Sequence, residues 1–221
     1  MSSCFFTFGN AHESLETFQV RYPHFTFRIL NQTHSNNVVE APDNGLAMGA
    51  DAQFTFKKNE ALCIRTADCL PILICAGSAA AAIHAGWRGL ETNIIAKTLT
   101  ALNKRGCSTQ QMKVWIGPHI GPQSFEVGVD VAQKLQSCFD NTGFKFGAAP
   151  NQELLVQHQN PEKKFVNLEL LARAQLWSCG LSTPQIQLNE VDTFKSEHHH
   201  SYRRDSQRAG RQISFICLEG S

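Results

Sequence analysis

Apolar side chains take every second position of Phe25-Thr26-Phe27-Arg28-Ile29, which predicts a strand with one buried face. Short apolar runs over residues 52–56, 61–66, 71–75 and 80–85 continue this β-rich character, with turns at Pro42-Asp43-Asn44-Gly45 and Ala76-Gly77-Ser78. At Leu90 the period lengthens. Leu90, Ile94, Ile95, Leu99 and Leu102 recur at helical spacing, and Gly106 is placed to stop that helix. A strand over 113–117 runs into Gly117-Pro118-His119-Ile120-Gly121-Pro122, a turn-forming segment. Helices are predicted over 130–139 and 168–179, the second with Asn167 as N-cap and Gly180 as its stop. Strands near 186–188 and 213–218 close the chain.

Residues 140–164 are polar and broken by Gly and Pro, which reads as an excursion within one unit rather than a linker between two. With neither an internal repeat nor a regular βαβ alternation, the pattern predicts an α+β fold in a single domain, 1–221. A chain of 221 residues buries roughly 70% of its unfolded surface, ample for an enzyme with a cavity.

Charge narrows the partners. Twenty Lys and Arg against 19 Asp and Glu leave a net charge of +1, so no global field draws the chain to nucleic acid or membrane, and an anionic partner has to be met locally. No apolar run approaches the roughly 18 to 20 residues that span a bilayer, and the opening MSSCFFTFGNAHE lacks a signal-peptide pattern, so the expected location is cytoplasmic. The eight cysteines are scattered without a C-x-x-C pair, which predicts reduced and mostly buried thiols. Nothing in the pattern sets an oligomeric state.

Three side chains of zinc-ligand type stand beside turn or strand ends: His34, Cys69 and His84. They are 35 and 15 residues apart, so only the fold can assemble them, and by spacing alone each is equally an ordinary core residue. Gathered, two His and one Cys would leave a fourth tetrahedral position for water, whose pKa a metal lowers to about 7. Arg65 and Asp68 flank Cys69 as candidate catalytic residues: the carboxylate to orient a histidine or accept a proton, the guanidinium to hold phosphate or a ribose hydroxyl. A structural ion pair between them is the alternative.

Four further residues are candidates for substrate binding. Arg88 lies in Gly86-Trp87-Arg88-Gly89, which leads into the Leu90 helix and its unpaired N–H groups, a setting that favours an anion such as phosphate. His119 sits between two Gly-Pro pairs, its ring aimed either into a cleft or at solvent. Arg203 and Arg204, beside Tyr202, offer guanidinium groups for phosphate and an aromatic face for a purine, or else a solvated surface. Trp87 reads as core, and His198-His199-His200 does not read as a second metal site.

The strings RTADCLPIL (65–73) and HAGWRGL (84–90), with NQTHSN upstream, IGPHIGPQSFEVG between and SYRRD near the end, closely resemble the laccase-domain, or multicopper polyphenol oxidase, family, also known as the YfiH-type purine nucleoside phosphorylases. The match runs in order over residues 31–218. The resemblance implies that His34, Cys69 and His84 bind one zinc, with copper as the alternative metal. It implies a cytosolic enzyme that takes a purine nucleoside and phosphate: phosphorolysis of adenosine, inosine and methylthioadenosine, with adenosine deamination beside it. It also implies a layered α/β/β/α arrangement with mixed sheets. The chain departs from the family at a short opening before His34 without the usual glycines, at Gln123-Ser124 and Asp192 where cysteines are usual, and at His198-His199-His200 where aromatics are usual.

Other chemistries stay open at this stage. A laccase's trinuclear copper cluster takes paired H-x-H motifs, and only His198 and His200 have that spacing among nine histidines. A cysteine hydrolase would use Cys69 as nucleophile, His84 as base and Asp68 as orienter. A non-catalytic zinc module would bind metal without turnover. The common deaminase signature H-x-E…P-C-x-x-C is absent, so deamination would run on a different scaffold.

Overall fold

A computed structural model describes residues 3–42, 49–144 and 153–220. Asp43, Asn44 and Gly45 of the first expected turn, and residues 145–152 of the polar segment, lie outside the described residues. The first half of the chain forms β1 (Cys4–Phe8), α1 (Leu15–Arg21), β2 (Thr26–Ile29), β3 (Val38–Glu40), β4 (Ala52–Thr55), β5 (Glu60–Thr66), β6 (Leu70–Cys75), β7 (Ala80–Ala85), α2 (Trp87–Glu91) and α3 (Ile94–Lys104). The second half forms β8 (Lys113–Ile116), β9 (Glu126–Gly128), α4 (Val129–Asp140), β10 (Leu155–Val156), β11 (Lys163–Val166), α5 (Leu168–Ser178), β12 (Ile186–Leu188), α6 (Tyr202–Asp205) and β13 (Gln212–Leu218). No helix among the described residues is long and apolar enough to cross a membrane.

Two mixed sheets stack against each other. One has the order β1-β13-β5-β2, with only β2 and β5 parallel. The other has the order β12-β8-β6-β7-β4-β3, antiparallel except for β12 on β8 and β3 on β4. The twofold alternation of a strand sorts its side chains into separate layers. In β5, Leu62 and Ile64 join Leu73, Ala80, Ala82 and Ile216 between the sheets, while Ala61 and Cys63 turn outward to Phe18 of α1 and Phe215. In β6 and β7, Ile72, Ile74, Ala81 and Ile83 turn the other way, onto Leu90, Leu99, Leu135 and Leu171 of the helices. The result is the α/β/β/α layering within the α+β class. Its central strands read as near-continuous apolar runs because both faces are buried. Each fully buried Leu or Ile contributes about 1.5–3 kcal/mol of transfer free energy.

Three features differ from the sequence expectation. The helix at Leu90 is two helices, because Asn93 adopts a left-handed backbone (φ 60°) between α2 and α3. Asparagine tolerates that conformation, and the Leu90 carbonyl at the end of α2 accepts from both the Asn93 N–H and, at 2.8 Å, the Gln175 amide. Next, β1 and α1 escape the pattern: Phe5, Phe6 and Phe8 show no alternation, and α1 buries only Phe18, starting at Ser14, whose hydroxyl accepts from the Thr17 N–H. Finally, not every thiol is reduced. Cys4 and Cys75 form a disulfide across the inter-sheet layer, with Cα atoms 6.1 Å apart, a pairing that 71 residues of separation conceal.

The Gly-Pro segment holds His119 in place instead of exposing it. The residue is buried, its backbone pairs with Val191 and Thr193, and its Nδ1–H donates to the Gly117 carbonyl at 2.8 Å. Burial outweighs that bond and the charges of Glu169 and Asp192, pushing the imidazole pKa below its usual 6.5.

Two predictions follow from this architecture. Thiol titration in denaturant should count six reactive sulfhydryls before reduction and eight after it. For His119, the unfolded chain takes up a proton near pH 6.5 while the folded protein resists it. Stability is therefore lost as pH falls below that value, by up to about 1.4 kcal/mol per pH unit. Urea unfolding between pH 7.5 and 5 should show a shallower loss for His119→Gln than for the wild type.

Candidate metal centre and its cavity

The chain passes from the first sheet to the second in the short turn between β5 and β6, where Asp68 takes a positive φ of 85° and Cys69 follows it. His84 lies opposite Pro71 in the β6–β7 pairing. His34, in the loop after β2, also has a left-handed backbone (φ 58°). These turns bring the ligand atoms of His34, Cys69 and His84 within 4.8 Å of one another. Cys69 Sγ is 4.0 Å from His34 Nε2, and the two imidazole rings meet edge-on at 4.8 Å. Gly86 leaves room for them: a Cβ there would lie 3.1 Å from Cys69 Sγ and 3.2 Å from His34 Cδ2.

Beneath the trio lies a fully buried carboxylate that the sequence reading missed, Asp51. Its Oδ1 accepts from the His34 N–H at 3.0 Å and lies 2.7 Å from His84 Nδ1. Its Oδ2 accepts from the Ser35 N–H at 2.6 Å, the Ser35 hydroxyl at 2.8 Å and the Thr33 N–H at 3.2 Å. Burial raises the Asp51 pKa, but the bonds from His84 and Ser35 outweigh it and hold the carboxyl well below the usual range. The only signal in the sequence was an acid at the head of the apolar strand Ala52-Gln53-Phe54.

Desolvation also opposes charge on Cys69 and His84, yet each is the other's counter-ion. With His34 adding a hydrogen bond, the thiol is lowered to about 6; with Asp51 beside it, the imidazole is raised to about 9. A ready thiolate and two imidazoles form an N2S donor set suited to zinc, and His84, tied to Asp51 through Nδ1, presents Nε2.

The trio opens into a cavity of about 850 Å³. Trp87, Phe125 and Tyr202 supply aromatic wall, and Arg65, Arg88, Arg203 and Arg211 supply cationic wall. Asp68 is the one carboxylate on the lining, and it is engaged: it accepts from the Thr193 hydroxyl at 2.8 Å and the Arg203 N–H at 2.7 Å. Locally the cavity is strongly positive, although the whole chain carries +1. The arginines are not equivalent. Arg203 lies over Phe125 and donates to the Glu126 carbonyl, and Arg211 lies over Tyr202 and donates to the carbonyls of Ala209 and Gly210. Arg88 stacks 4.4 Å from the Trp87 ring, and the Arg65 guanidinium makes one long bond, 3.4 Å, to the Leu30 carbonyl. Arg65 and Arg88 thus keep most of their N–H donors for a ligand.

His34, Cys69, His84, Arg65, Asp68, Arg88 and Arg203 therefore meet around one cavity. Two sequence candidates do not. His119 borders a separate cavity of about 290 Å³ with Glu169, Glu190 and Asp192. Arg204 donates to the carbonyls of Thr193, Ser196 and His199 and pairs with Asp205, so its fork holds a loop together. The alternative of an Arg65–Asp68 ion pair is not realised, and the carboxylate that orients His84 is Asp51 rather than Asp68. Trp87, read as core, does pack against the helix-side core, but it is half-buried and also lines the cavity. Phe125, Gln32 and Arg211 join the lining unannounced, since no local pattern distinguishes them. The departures at Ser124 and Asp192 touch each other: the Ser124 hydroxyl donates to Asp192 Oδ2 at 2.6 Å.

A purine nucleoside phosphorylase of Haemophilus influenzae is 35% identical over 194 residues, covering 86% of this chain and 74% of that protein. The purine nucleoside phosphorylase YfiH of Escherichia coli is 34% identical over 193 residues, covering 86% and 72%. The crystal structure of the Neisseria meningitidis protein NMB0706 superposes with a TM-score of 0.78 at 31% identity, over 93% of this chain and 79% of that one. The sequence pattern of the multi-copper polyphenol oxidoreductase laccases matches residues 10–219, and the chain belongs to that family.

Proposed function

We propose that the cavity is the active site of a zinc-dependent purine nucleoside phosphorylase acting on adenosine, inosine and methylthioadenosine, with adenosine deamination as a side activity. One juxtaposition carries the proposal: an N2S metal-ligand set opens into a cavity that combines aromatic faces with two arginines that keep most of their donors for a ligand. The names of the relatives support the same reaction class.

In phosphorolysis a phosphate oxygen forms a bond to the anomeric carbon and the C–N glycosidic bond breaks. The electron pair leaves with the purine, which takes up a proton. Such a reaction gains most from positioning and from charge stabilisation. Arg65 and Arg88 take the phosphate, since a guanidinium fork matches its oxygens. Phe125, Tyr202 and Trp87 flank the base and limit water. Asp68 acts as a positioning residue, fixing Arg203 and the loop at Thr193. His34, Cys69 and His84 would hold zinc, which supplies Lewis-acid polarisation when bound.

One observation favours a second reading. The Cys69 thiolate, His84 and Asp51 form a Cys-His-Asp series, the arrangement of a cysteine hydrolase, with Asp51 rather than Asp68 as orienter. A multicopper oxidase is less well supported, because among the described residues only this one group of three ligands gathers.

Incubation of purified protein with adenosine or inosine should release adenine or hypoxanthine together with ribose 1-phosphate only when phosphate is present, and arsenate should replace it. Equal cleavage in phosphate-free buffer would make the enzyme a hydrolase, and inosine formed from adenosine would register the deaminase reaction. Arg65→Gln and Arg88→Gln should each raise the phosphate KM by about 10- to 100-fold, the worth of one charge-assisted hydrogen bond. Cys69→Ser should lower zinc occupancy and turnover together, because a hydroxyl is a poor ligand at neutral pH. Retained zinc with abolished turnover would shift the assignment to the cysteine hydrolase.

A further inference from the structure

We infer that Asp51 is a positioning residue that presets the metal centre, keying both histidine ligands to one carboxylate before any ion arrives. The inference rests on the metal reading above and extends it to a residue outside the ligand set.

His34 is presented by a strained loop. Its φ of 58° lies in the left-handed region, which a non-glycine residue adopts only when neighbouring contacts hold it there. Three successive N–H groups of that loop, from Thr33, His34 and Ser35, converge on the Asp51 carboxylate at 3.2, 3.0 and 2.6 Å. This anion-centred nest holds the turn that aims the His34 ring.

His84 is fastened to the same residue twice. Its N–H donates to the Asp51 carbonyl at 2.7 Å, and its ring Nδ1 lies 2.7 Å from Asp51 Oδ1. A carboxylate only accepts, so Nδ1 carries the hydrogen that bonds to it, and Nε2 is the ring nitrogen that can give up its proton and turn to a metal. A single side chain therefore fixes the backbone of one ligand and the tautomer of the other.

The chemistry of the six groups facing Asp51 makes its replacement specific. Three are backbone N–H groups, which can only donate; two are the hydroxyls of Thr33 and Ser35; the sixth is His84 Nδ1. An asparagine has one acceptor oxygen and one donating nitrogen. With nitrogen at the Oδ1 position it meets the His34 N–H head-on and favours the Nε2–H tautomer of His84, which cannot ligate through Nε2. With nitrogen at the Oδ2 position it opposes the N–H groups of Ser35 and Thr33. The first orientation fails both histidines; the second keeps their contacts but opposes the N–H groups on either side of His34, which hold its turn. Ser35→Ala, in contrast, deletes one hydroxyl and keeps every N–H contact to the carboxylate.

The test measures zinc affinity by competition with a chromophoric chelator, and the ¹⁵N shifts of the histidine ring nitrogens, in the zinc-free and zinc-loaded full-length protein. Asp51→Asn should weaken zinc binding by about 10- to 100-fold, the usual cost of losing the partner behind a ligating histidine. Ser35→Ala should change it by only a few-fold. In the wild type, His84 should show a protonated, slowly exchanging Nδ1 with and without zinc. Asp51→Asn binding zinc within twofold of the wild type would overturn the inference. So would a wild-type spectrum in which His84 Nδ1 carries no hydrogen in the zinc-free protein, a result that needs no variant to fold. A wild type that takes up no zinc at all would instead overturn the metal reading itself.

Discussion

Every strand through the middle of this protein has to satisfy two cores at once. Leu62 and Ile64 of β5 pack between the sheets while Ala61 and Cys63 pack under α1. Likewise Leu73 of β6 faces the inter-sheet layer, while Ile72 and Ile74 face the helices. A register slip of one residue would exchange the two sets, so the layering locks the register of β5, β6, β7 and β13 together. That rigidity lets turns at strand ends carry precise chemistry. The crossing from β5 to β6 cannot drift, so Cys69 cannot either.

The same constraint explains what the sequence made legible. Near-continuous apolar runs located β5 and β7, which are buried on both faces, and the 3.6-residue period located α3, which buries one. They failed where no face is consistent, in β1 with its three phenylalanines, and in α1 with one buried Phe18. They also ran past Asn93, because a single left-handed residue leaves the apolar spacing on either side nearly intact.

The site divides along a similar line. Its ligands lie in short strings, NQTHSN, RTADCLPIL and HAGWRGL, whose composition betrays a function even when their spacing does not. The supporting residues are single side chains that only the fold brings near. Asp51 stands 17 residues from one partner and 33 from the other, and Phe125 and Arg211 reach the cavity from different layers. Arg204 shows the converse. It is adjacent to Arg203 and identical in type, yet the roughly 100° rotation from one helical residue to the next sends its fork into backbone carbonyls rather than toward the cavity. No property of the dipeptide tells the two apart.

The position of β13 has a consequence for how the chain can assemble. This strand, the last described, lies between β1 and β5 in the first sheet, pairing Leu218 with Cys4 and Ile213 with Arg65. During synthesis β1 and β5 therefore emerge long before the partner that joins them, while β6, β7 and β8 find their neighbours at once. The second sheet is the part of the molecule that can organise early. The first is a non-local assembly of the kind that closes slowly. Since Tyr202 and Arg203 directly precede that strand, the outer wall of the cavity becomes a late product of folding, raised over a floor that local pairing has already laid.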